Sequence, residues 1–550
     1  MTLTDLKSPP KHLETRSENA AEKWWRGATI YQIYPRSFMD SNGDGIGDLP
    51  GIISKLDHIA DLGVDGIWVS PFFTSPMRDF GYDVSDYRGV DKIFGTMDDF
   101  DRLVECAHDF DLKVIIDQVY SHTSDQHDWF TESRADRQNA KADWYVWADP
   151  KPDGSPPNNW QAVFSGSSWT WDSRRGQYYF HNFLPSQPDL NLHNTEVQDA
   201  LLDVARFWLD RGVDGFRLDA INFAMHDPEL RDNPPANLNA PSARTFDYQI
   251  HKYNQSHPNI VQFLERLRKV TDEYPGRFTL AEIGGPDALA EMQHFTRGHQ
   301  RLNSAYSFDY LYADEIDPDH VRRTSLNWPL DRTEGWPSWA FSNHDAPRCV
   351  SRWHDGSAPD EYCKIMALLL LMLRGNAIIY QGEELGLPQA EVPFDKLQDP
   401  EAIANWPKTL GRDGARTPMC WTKAAPHAGF STSEPWLPVD ERHFAKSVDQ
   451  QVNDPGSVLA FYKDAIAVRN SEPALQDGDI TFLDAPSSIV AFRRSNRDSN
   501  YLVALNLSGD AVAWTPEQSG SVILTTQDSS GGDAILSNLT PYSGYVVKLD

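Results

Sequence analysis

Eight short apolar segments recur along the first three quarters of the chain, and amphipathic helical patterns lie between most of them. Continuous apolar strands that alternate with helices are typical of a parallel sheet that is buried on both faces. Eight such units predict the α/β class and a (β/α)8 TIM barrel. The alternative is an open doubly wound sheet, but no G-x-G-x-x-G sequence follows the first segment. The segments are Ala28–Pro35, Val64–Ser70, Lys113–Tyr120, Val213–Asp219, Phe278–Ile283, Ser304–Phe308, Ser338–Asn343 and Asn376–Gln381.

The intervals between these segments indicate how the chain is divided. The interval after the third segment is too long for one crossover helix, and residues 143–191 are rich in Trp, Pro, Gly, Asn and Ser. After about Ser471 the pattern changes to short alternating strands, which are typical of an antiparallel β-sandwich. We therefore predict an N-terminal extension (1–23), a barrel (24–122 and 191–470, with an excursion at about 387–442), an inserted domain (123–190) and a C-terminal β-domain (471–550).

Charge and composition narrow the class of partner. The chain has 80 acidic and 50 basic residues, and this excess of negative charge argues against nucleic acid and anionic membranes as partners. Its four cysteines show no CxxC spacing, so neither a disulfide framework nor a zinc site is expected. The N-terminus has no apolar signal-peptide core, and the longest apolar run, Ile365–Leu373, is too short to span a bilayer. We expect a soluble, cytoplasmic monomer or homodimer with a small-molecule partner.

Acidic side chains follow several of the predicted strands. Arg217 and Asp219 share one face of a strand, where the guanidinium would keep the carboxylate ionised. Glu282 ends an apolar segment without an adjacent base, which favours a raised pKa, and Asp345 follows the seventh segment. Each residue alone could be a helix cap or a loop ion pair. Together they are expected at the C-terminal mouth of the barrel, where one ionised and one protonated carboxyl group can hydrolyse a glycosidic bond.

Four segments resemble, in order, the motifs of the α-amylase superfamily, glycoside hydrolase family 13. A further segment, Gln187–Asn191, resembles a motif of its oligo-1,6-glucosidase and α-glucosidase branch. The resemblance extends from about Trp24 to the C-terminus and implies a retaining mechanism on α-glucosidic bonds. It implies that Asp219 is the nucleophile, Glu282 the acid/base and Asp345 the stabiliser of the transition state. The four segments are DQVYSH (Asp117–His122), GFRLDAIN (Gly215–Asn222), Glu282 and FSNHD (Phe341–Asp345).

The same resemblance implies a pocket for one terminal glucose unit. Asp79 would bind the 4-hydroxyl of that glucose with Arg412 as its partner, so a longer chain could not continue past it and cleavage would be exo. Ala220, directly after the nucleophile, favours α-1,4 linkages, because relatives with valine there tend to cleave α-1,6 linkages. The other implied sugar contacts are His122, Arg217 and His344, the stacking platform Tyr82, and the pocket walls Phe164 and Phe183, although both phenylalanines fit a core position equally well.

The run Asp40–Asp48 (DSNGDGIGD) alternates oxygen-bearing side chains with glycines, as in a tight loop around a hard cation. Its twelfth position is Gly51, where an EF-hand would have glutamate, and it follows a predicted barrel strand. The loop resembles the calcium or magnesium loop of the oligo-1,6-glucosidase branch, which implies a structural Ca2+ or Mg2+. The alternative is a solvated turn. The implied ligands are Asp40, Asn42, Asp44, Asp48 and the Ile46 carbonyl group.

These features together predict an exo-acting, retaining α-glucosidase that acts on short, maltose-like α-glucosides without an organic cofactor. Such an enzyme also transfers glucosyl units to acceptor alcohols or sugars, because any hydroxyl can replace water at the covalent intermediate. Oligo-1,6-glucosidase, sucrose hydrolase and trehalose synthase are the alternatives. A non-catalytic transporter subunit is disfavoured, because the chain has all three carboxylates and no membrane-spanning segment. Residues 226–256 are expected to form a loop near the pocket, without an assigned role.

Overall fold

A closed barrel of eight parallel strands occupies the centre of the protein. Strands that follow each other in the chain are neighbours in the barrel, and the eighth pairs with the first through Ala377 and Thr29. This topology confirms the predicted (β/α)8 barrel. The strands are β1 (Thr29–Ile33), β2 (Gly66–Val69), β3 (Lys113–Val119), β4 (Gly215–Asp219), β5 (Phe278–Ile283), β6 (Ser304–Ser307), β7 (Trp336–Ala340) and β8 (Asn376–Tyr380).

The predicted N-terminal extension lies, except for Lys23, outside the described residues. Within the described part of the chain, no helix is both long enough and apolar enough to cross a membrane. The computed structural model describes residues 23–237, 241–329, 335–354, 358–409, 411–527 and 537–550.

Amphipathic helices connect the strands and bury their apolar faces. In the helix Thr195–Asp210, Asn194 caps the first turn by accepting from the N–H of Glu196 at 2.9 Å, and Leu201 and Trp208 are buried. Each large apolar side chain removed from water contributes about 1.5–3 kcal/mol. The helices are Leu49–Ile53, Leu56–Leu62, Met97–Asp109, Asp128–Ser133, Thr195–Asp210, Ile260–Thr271, Ala288–Thr296, Phe308–Leu311, Pro318–Leu326, Cys349–Arg352, Asp360–Met372, Pro400–Asn405, Val448–Gln451, Val458–Ser471 and Pro473–Gln476.

The seventh strand was misplaced by the sequence pattern. It runs from Trp336 to Ala340, whereas the apolar segment predicted Ser338–Asn343. The side-chain oxygen of Asn343 accepts from the N–H groups of Asp345 at 2.9 Å and Ala346 at 2.8 Å, so the chain turns there. Asp345 is therefore presented by a loop beyond the strand end.

In the described residues, three further groups of strands lie outside the barrel, and the first is a short antiparallel ribbon of Phe73–Thr74 and Asp86–Val90 after β2. Between β3 and β4, a small antiparallel sheet is formed by Trp147–Ala148, Gln177–Phe180 and Trp169–Asp172. The C-terminal part forms an antiparallel sheet, as predicted, with an additional two-stranded ribbon of Val512–Ala513 and Asn538–Leu539. The strands of that sheet, in spatial order, are Asp479–Phe482, Ile489–Ser495, Asn500–Asn506, Gly544–Leu549 and Gly520–Thr525.

Candidate active site

Arg217 lies at the centre of a group of acidic side chains at the C-terminal ends of β3, β4 and β5. Its buried Nη1 donates to Asp117 Oδ1 at 2.8 Å and to Asp219 Oδ1 at 2.6 Å, and its Nη2 lies 2.6 Å from Glu282 Oε2. The parallel register explains this grouping, because Arg217 is aligned with Asp117 on β3. The expected contact between Arg217 and Asp219 is present. The expectation that no base lies beside Glu282 is wrong.

One guanidinium thus faces three buried carboxyl groups. Burial raises the pKa of Asp117 to about 6, while Arg217 opposes the rise. Burial also raises the pKa of Asp219 above its usual value, with Arg217 again in opposition and the neighbouring carboxylates adding to the rise. Because adjacent like charges disfavour simultaneous ionisation, this group holds a proton near neutrality more readily than separate carboxyls would. Such a group can divide the roles of nucleophile and proton donor among its members.

The titration of Asp117 is expected to make the protein less stable as pH rises from about 4 to 6. Its folded-state pKa of about 6 lies above the ordinary value of 3.8, so the folded protein binds more protons than the unfolded chain in this window. The free energy of unfolding therefore falls with rising pH. In Asp117→Asn that contribution is absent, and the slope of unfolding free energy against pH becomes less negative. Urea unfolding at several pH values measures both slopes; equal slopes would contradict the assignment.

Asp345 belongs to a second charged group, in the loop after β7. Arg416 Nη2 lies 2.6 Å from its Oδ1, Arg412 Nη1 lies 3.3 Å from the same atom, and His344 Nε2 lies 3.3 Å from Oδ2. Burial acts to raise the pKa of Asp345, but these neighbours outweigh it and hold the pKa well below its usual range. Burial lowers the pKa of His344 to about 3, so its ring is neutral near pH 7. Asp345 is thus an ionised carboxylate at the barrel mouth.

Tyr82 connects the two charged groups. Its hydroxyl group donates to Asp117 Oδ2 at 3.1 Å and contacts His344 Nε2. The Tyr82 and His344 rings are stacked, with centroids 5.3 Å apart and an angle of 7° between their planes. Gln32 Nε2 donates to His344 Nδ1 at 2.8 Å, which leaves Nε2 to carry the imidazole proton. The ring of Tyr82 is thereby fixed in orientation beside the carboxylates.

Asp79 and Arg412 form a contact between segments that are 333 residues apart, with Arg412 Nη2 2.8 Å from Asp79 Oδ1. Asp399, which is fully buried, accepts from the backbone N–H of Arg412 at 2.7 Å and from its Nη2 at 2.8 Å. Gln187 Nε2 donates to Asp79 Oδ2 at 3.0 Å. Arg412 is therefore held between two carboxylates, and its Nη1 reaches Asp345 as well.

Three of the predicted sugar contacts lie together next to this pair. His122 is buried, burial lowers its pKa to about 4, and its ring centroid lies 5.1 Å from that of Phe183. The ring of Phe164 lies 6.0 Å from Phe183, and the guanidinium of Arg412 lies 4.9 Å from the Phe164 centroid. Both phenylalanines are half-buried, so neither is a core residue, and their role as pocket walls stays a prediction.

Three further residues contact the site, although their sequence context predicts no role for them. Arg416 follows Arg412 by four residues in the run GRDGARTP. This spacing of two arginines is the one sequence feature that could have indicated Arg416 as a site residue. Asp399 lies in the irregular excursion after β8, and Tyr306 lies in the sixth apolar segment, which carries no motif. The contacts of Tyr306 depend on the pairing of barrel strands and those of Asp399 on the fold of the excursion, so neither could be read from local sequence.

The glycine-rich loop after β1 is organised around the carboxylate of Asp40. Its Oδ2 accepts from the N–H of Gly45 at 2.8 Å, and Gly45 has a φ of +90°, which favours glycine. Asp48 caps the helix Leu49–Ile53. In the described residues, no group of three or more His, Cys, Asp or Glu side chains is arranged to hold a metal ion. The oxygen-rich composition fits a hard cation, but Asp48 is directed to the helix, so the predicted Ca2+ or Mg2+ site stays a prediction.

Comparison with known proteins identifies the family of this barrel. Residues 32–478 match the family described as alpha-amylase, catalytic domain. A probable α-glucosidase of Rhizobium meliloti is 53% identical over 497 residues, covering 89% of this chain and 90% of that protein. An oligo-1,6-glucosidase of Heyndrickxia coagulans is 37% identical, covering 96% of this chain and 100% of that protein. The solved structure of the α-glucosyl transfer enzyme XgtA is 50% identical, with a TM-score of 0.91, and covers 96% of this chain and 100% of that one. The chain belongs to the α-amylase superfamily, glycoside hydrolase family 13, and is a glycoside hydrolase.

Proposed function

We propose that this glycoside hydrolase is an exo-acting α-glucosidase that releases α-glucose from the non-reducing end of short α-glucosides. The observation that carries the proposal is the ion pair between Arg412 and Asp79, which adjoins Asp345. A sugar unit placed against Asp219 would meet this pair at its far end. A polysaccharide chain would have to break the pair to continue, whereas a terminal glucose can hydrogen-bond to it.

The arrangement around Arg217 supports a retaining mechanism. Asp219 and Glu282 contact the same guanidinium group, which keeps the two carboxyl groups close together. Retaining enzymes need such proximity, because their two carboxyl groups lie about 5–5.5 Å apart. Asp219 attacks the anomeric carbon while Glu282 gives a proton to the departing oxygen. Glu282 then takes a proton from water, or from an acceptor alcohol, which displaces Asp219. Transfer to alcohols and sugars follows from the second step and agrees with the similarity to XgtA, which is described as an α-glucosyl transfer enzyme.

Preference for α-1,4 linkages is the most specific part of the proposal. Ala220 has a φ of +38°, a left-handed conformation that strains β-branched residues, and its N–H donates to Glu282 Oε2 at 3.1 Å. A small side chain at this position leaves room beside the acid/base for the leaving sugar. Relatives named oligo-1,6-glucosidase make the α-1,6 linkage the alternative outcome.

The loop within residues 226–256 supports a restricted entrance. Thr245 Oγ1 accepts from the N–H of Gly166 at 2.9 Å, in the inserted segment. Arg244 Nη1 lies 4.0 Å from Glu401 Oε1, in the excursion after β8. These contacts join three parts of the chain, and we propose that they restrict the entrance to short substrates.

Timed product analysis tests the proposal. Maltose, isomaltose, sucrose and a longer malto-oligosaccharide are supplied at equal concentration, and proton NMR follows the anomer of the glucose released first. We expect α-glucose from maltose, with glucosyl transfer products at high substrate concentration. Faster turnover of isomaltose or sucrose would overturn the linkage preference, β-glucose as first product would overturn retention, and internal cleavage of the longer substrate would overturn exo action.

We also propose that the loop Asp40–Asp48 binds a structural Ca2+ or Mg2+ through the oxygens named above. Chelation followed by gel filtration should remove one ion per chain and lower Tm, because a ligand that binds only the folded state adds about 2.7 kcal/mol at 100 times its Kd. Added Ca2+ or Mg2+ should restore Tm, and Asp44→Ala should abolish the effect of both treatments. Absence of bound metal together with an unchanged Tm would contradict the site.

The cytoplasmic location of the protein and its oligomeric state, monomer or homodimer, stay predictions.

A further inference from the structure

Tyr306 on β6 touches both the central arginine and the acid/base of the site. The residue is buried, and its hydroxyl oxygen lies 3.1 Å from Arg217 Nε, 3.0 Å from Arg217 Nη2 and 3.0 Å from Glu282 Oε1. The register of β5 and β6 places Tyr306 directly beside Glu282. The hydroxyl group is thus located between a cation and a carboxyl group of the active site.

The direction of these hydrogen bonds follows from the chemistry of the two partners. A phenol has one O–H to donate and lone pairs with which to accept, whereas a guanidinium only donates. Arg217 therefore donates twice to the Tyr306 oxygen, and the single Tyr306 proton is directed to Glu282 Oε1. Two donations from a cation also polarise this O–H and make it a stronger donor.

We propose that Tyr306 is a positioning residue that orients the Glu282 carboxyl group and stabilises the carboxylate formed when Glu282 releases its proton. This inference rests on the proposed acid/base role of Glu282. In the first step, the bond from the anomeric carbon to the leaving oxygen breaks, that oxygen keeps the electron pair and takes the Glu282 proton, and Asp219 bonds to the carbon. Charge develops on Glu282 during this step, and the Tyr306 O–H already points at it. In the second step, the carboxylate regains a proton from water.

A purely structural role for Tyr306 would have a different consequence. Its two contacts with Arg217 also support the guanidinium that holds Asp219. If the hydroxyl group served only to fix Arg217, its loss would impair the nucleophile and slow every substrate alike. If it serves Glu282, its loss should slow only substrates whose leaving group needs a proton.

The test compares Tyr306→Phe with wild type on maltose and on α-glucosyl fluoride, whose fluoride ion leaves without a proton. We expect kcat/KM for maltose to fall about 10- to 100-fold, the range for a hydrogen bond to a charged group, and kcat/KM for the fluoride to change little. The alkaline limb of kcat/KM for maltose should move to higher pH, because the ionised carboxylate has lost a donor.

Tyr120→Phe is the matched control. Tyr120 is also fully buried, its hydroxyl group has no hydrogen-bond partner in the described part of the chain, and its ring packs against Phe263 at 5.6 Å. This variant should change neither the ratio of the two substrates nor the pH profile. If Tyr306→Phe does not fold, 3-fluorotyrosine is incorporated at position 306 instead. This residue keeps the aromatic ring and makes the hydroxyl group a stronger hydrogen-bond donor to Glu282. The alkaline limb should then move to lower pH.

Equal losses on both substrates, or no loss on either, would overturn the role of Tyr306. Glu282→Gln separates this failure from failure of the proposed function. The Glu282→Gln variant should lose activity on maltose but still form the glucosyl-enzyme from α-glucosyl fluoride. Adding Tyr306→Phe to Glu282→Gln should cause no further loss of activity on maltose. If Glu282→Gln lowers activity on both substrates equally, then Glu282 is not the acid, whatever Tyr306 does.

Discussion

Asp219→Asn is expected to lower kcat on maltose by on the order of 10^4- to 10^6-fold, the range for removing a catalytic nucleophile. An amide cannot form the covalent bond to the anomeric carbon, although it has nearly the shape of the carboxylate. Folding should be preserved, because the substitution removes one of three carboxylates that share Arg217 and the remaining two still balance it. Initial rates on maltose, measured with Tm for each protein, separate lost chemistry from lost structure.

Asp214→Asn is the matched control for this substitution. Asp214 directly precedes the same strand, at the opposite end of the barrel from Asp219, and is paired with Arg277 at 3.0 Å. This variant should lower Tm and leave kcat close to that of the wild type. Retention of more than a few per cent of activity in Asp219→Asn would contradict the assignment of the nucleophile.

A chemical rescue distinguishes a nucleophile from a carboxylate that merely stabilises charge. In Asp219→Ala, azide can enter the space beside the anomeric carbon of α-glucosyl fluoride and displace fluoride. Attack from the side of Asp219 would give β-glucosyl azide. We expect that product and a rate that rises with azide concentration. Formation of the α-azide, or no rescue by azide, would indicate that the attack comes from elsewhere.

Arg217→Met is expected to lower the free energy of unfolding by about 3–5 kcal/mol at pH 7, the cost of leaving buried charges without their partner. Asp117, Asp219 and Glu282 would then face one another without a cation. Their folded-state proton affinity would rise, so the folded protein would bind more protons than the unfolded chain and lose stability as pH rises. The loss should therefore be smaller near pH 4 than at pH 7. Denaturant unfolding at both pH values measures the difference.

Two companion variants test the electrostatic origin of this loss. Arg217→Lys keeps the charge, but one ammonium group cannot reproduce the planar contacts to three carboxyls, so an intermediate stability is expected. Asp117→Asn in the Arg217→Met background should recover part of the stability, because it removes one repelling charge. A loss that is independent of pH and unaffected by Asp117→Asn would point to lost packing of the long side chain instead.

The barrel and the positions of its acidic residues were predictable because both follow from local sequence. Apolar strands at regular intervals indicate the parallel sheet, and a residue at a strand end, such as Asp219, is brought to the mouth by topology alone. The boundary of β7 was wrong because the apolar run continues past the turn that the Asn343 side chain forms. The period of the pattern does not distinguish a strand from a buried loop of similar composition.

The environment of Glu282 shows where sequence reasoning ends. Its neighbours in the chain are apolar, but its neighbours in space are Arg217 from the preceding strand, β4, and Tyr306 from the following strand, β6. Strand pairing determines both contacts, and no single-strand pattern encodes them. The Asp79 and Arg412 pair was expected only through family resemblance, because neither spacing nor periodicity links residues so distant in the chain.

The contact between Asp79 and Arg412 also has a consequence for how the protein matures. Contacts between residues far apart in sequence carry a large loop-closure entropy and form late in folding. The proposed sugar pocket would therefore become complete only after the region beyond β8 has been synthesised and has docked. A nascent chain that ends before Arg412 can contain all three carboxylates and still lack a closed pocket. A glucose analogue that binds through this pair would then act as a selective pharmacological chaperone, since it would stabilise only chains in which the loop after β2 has already met the excursion after β8.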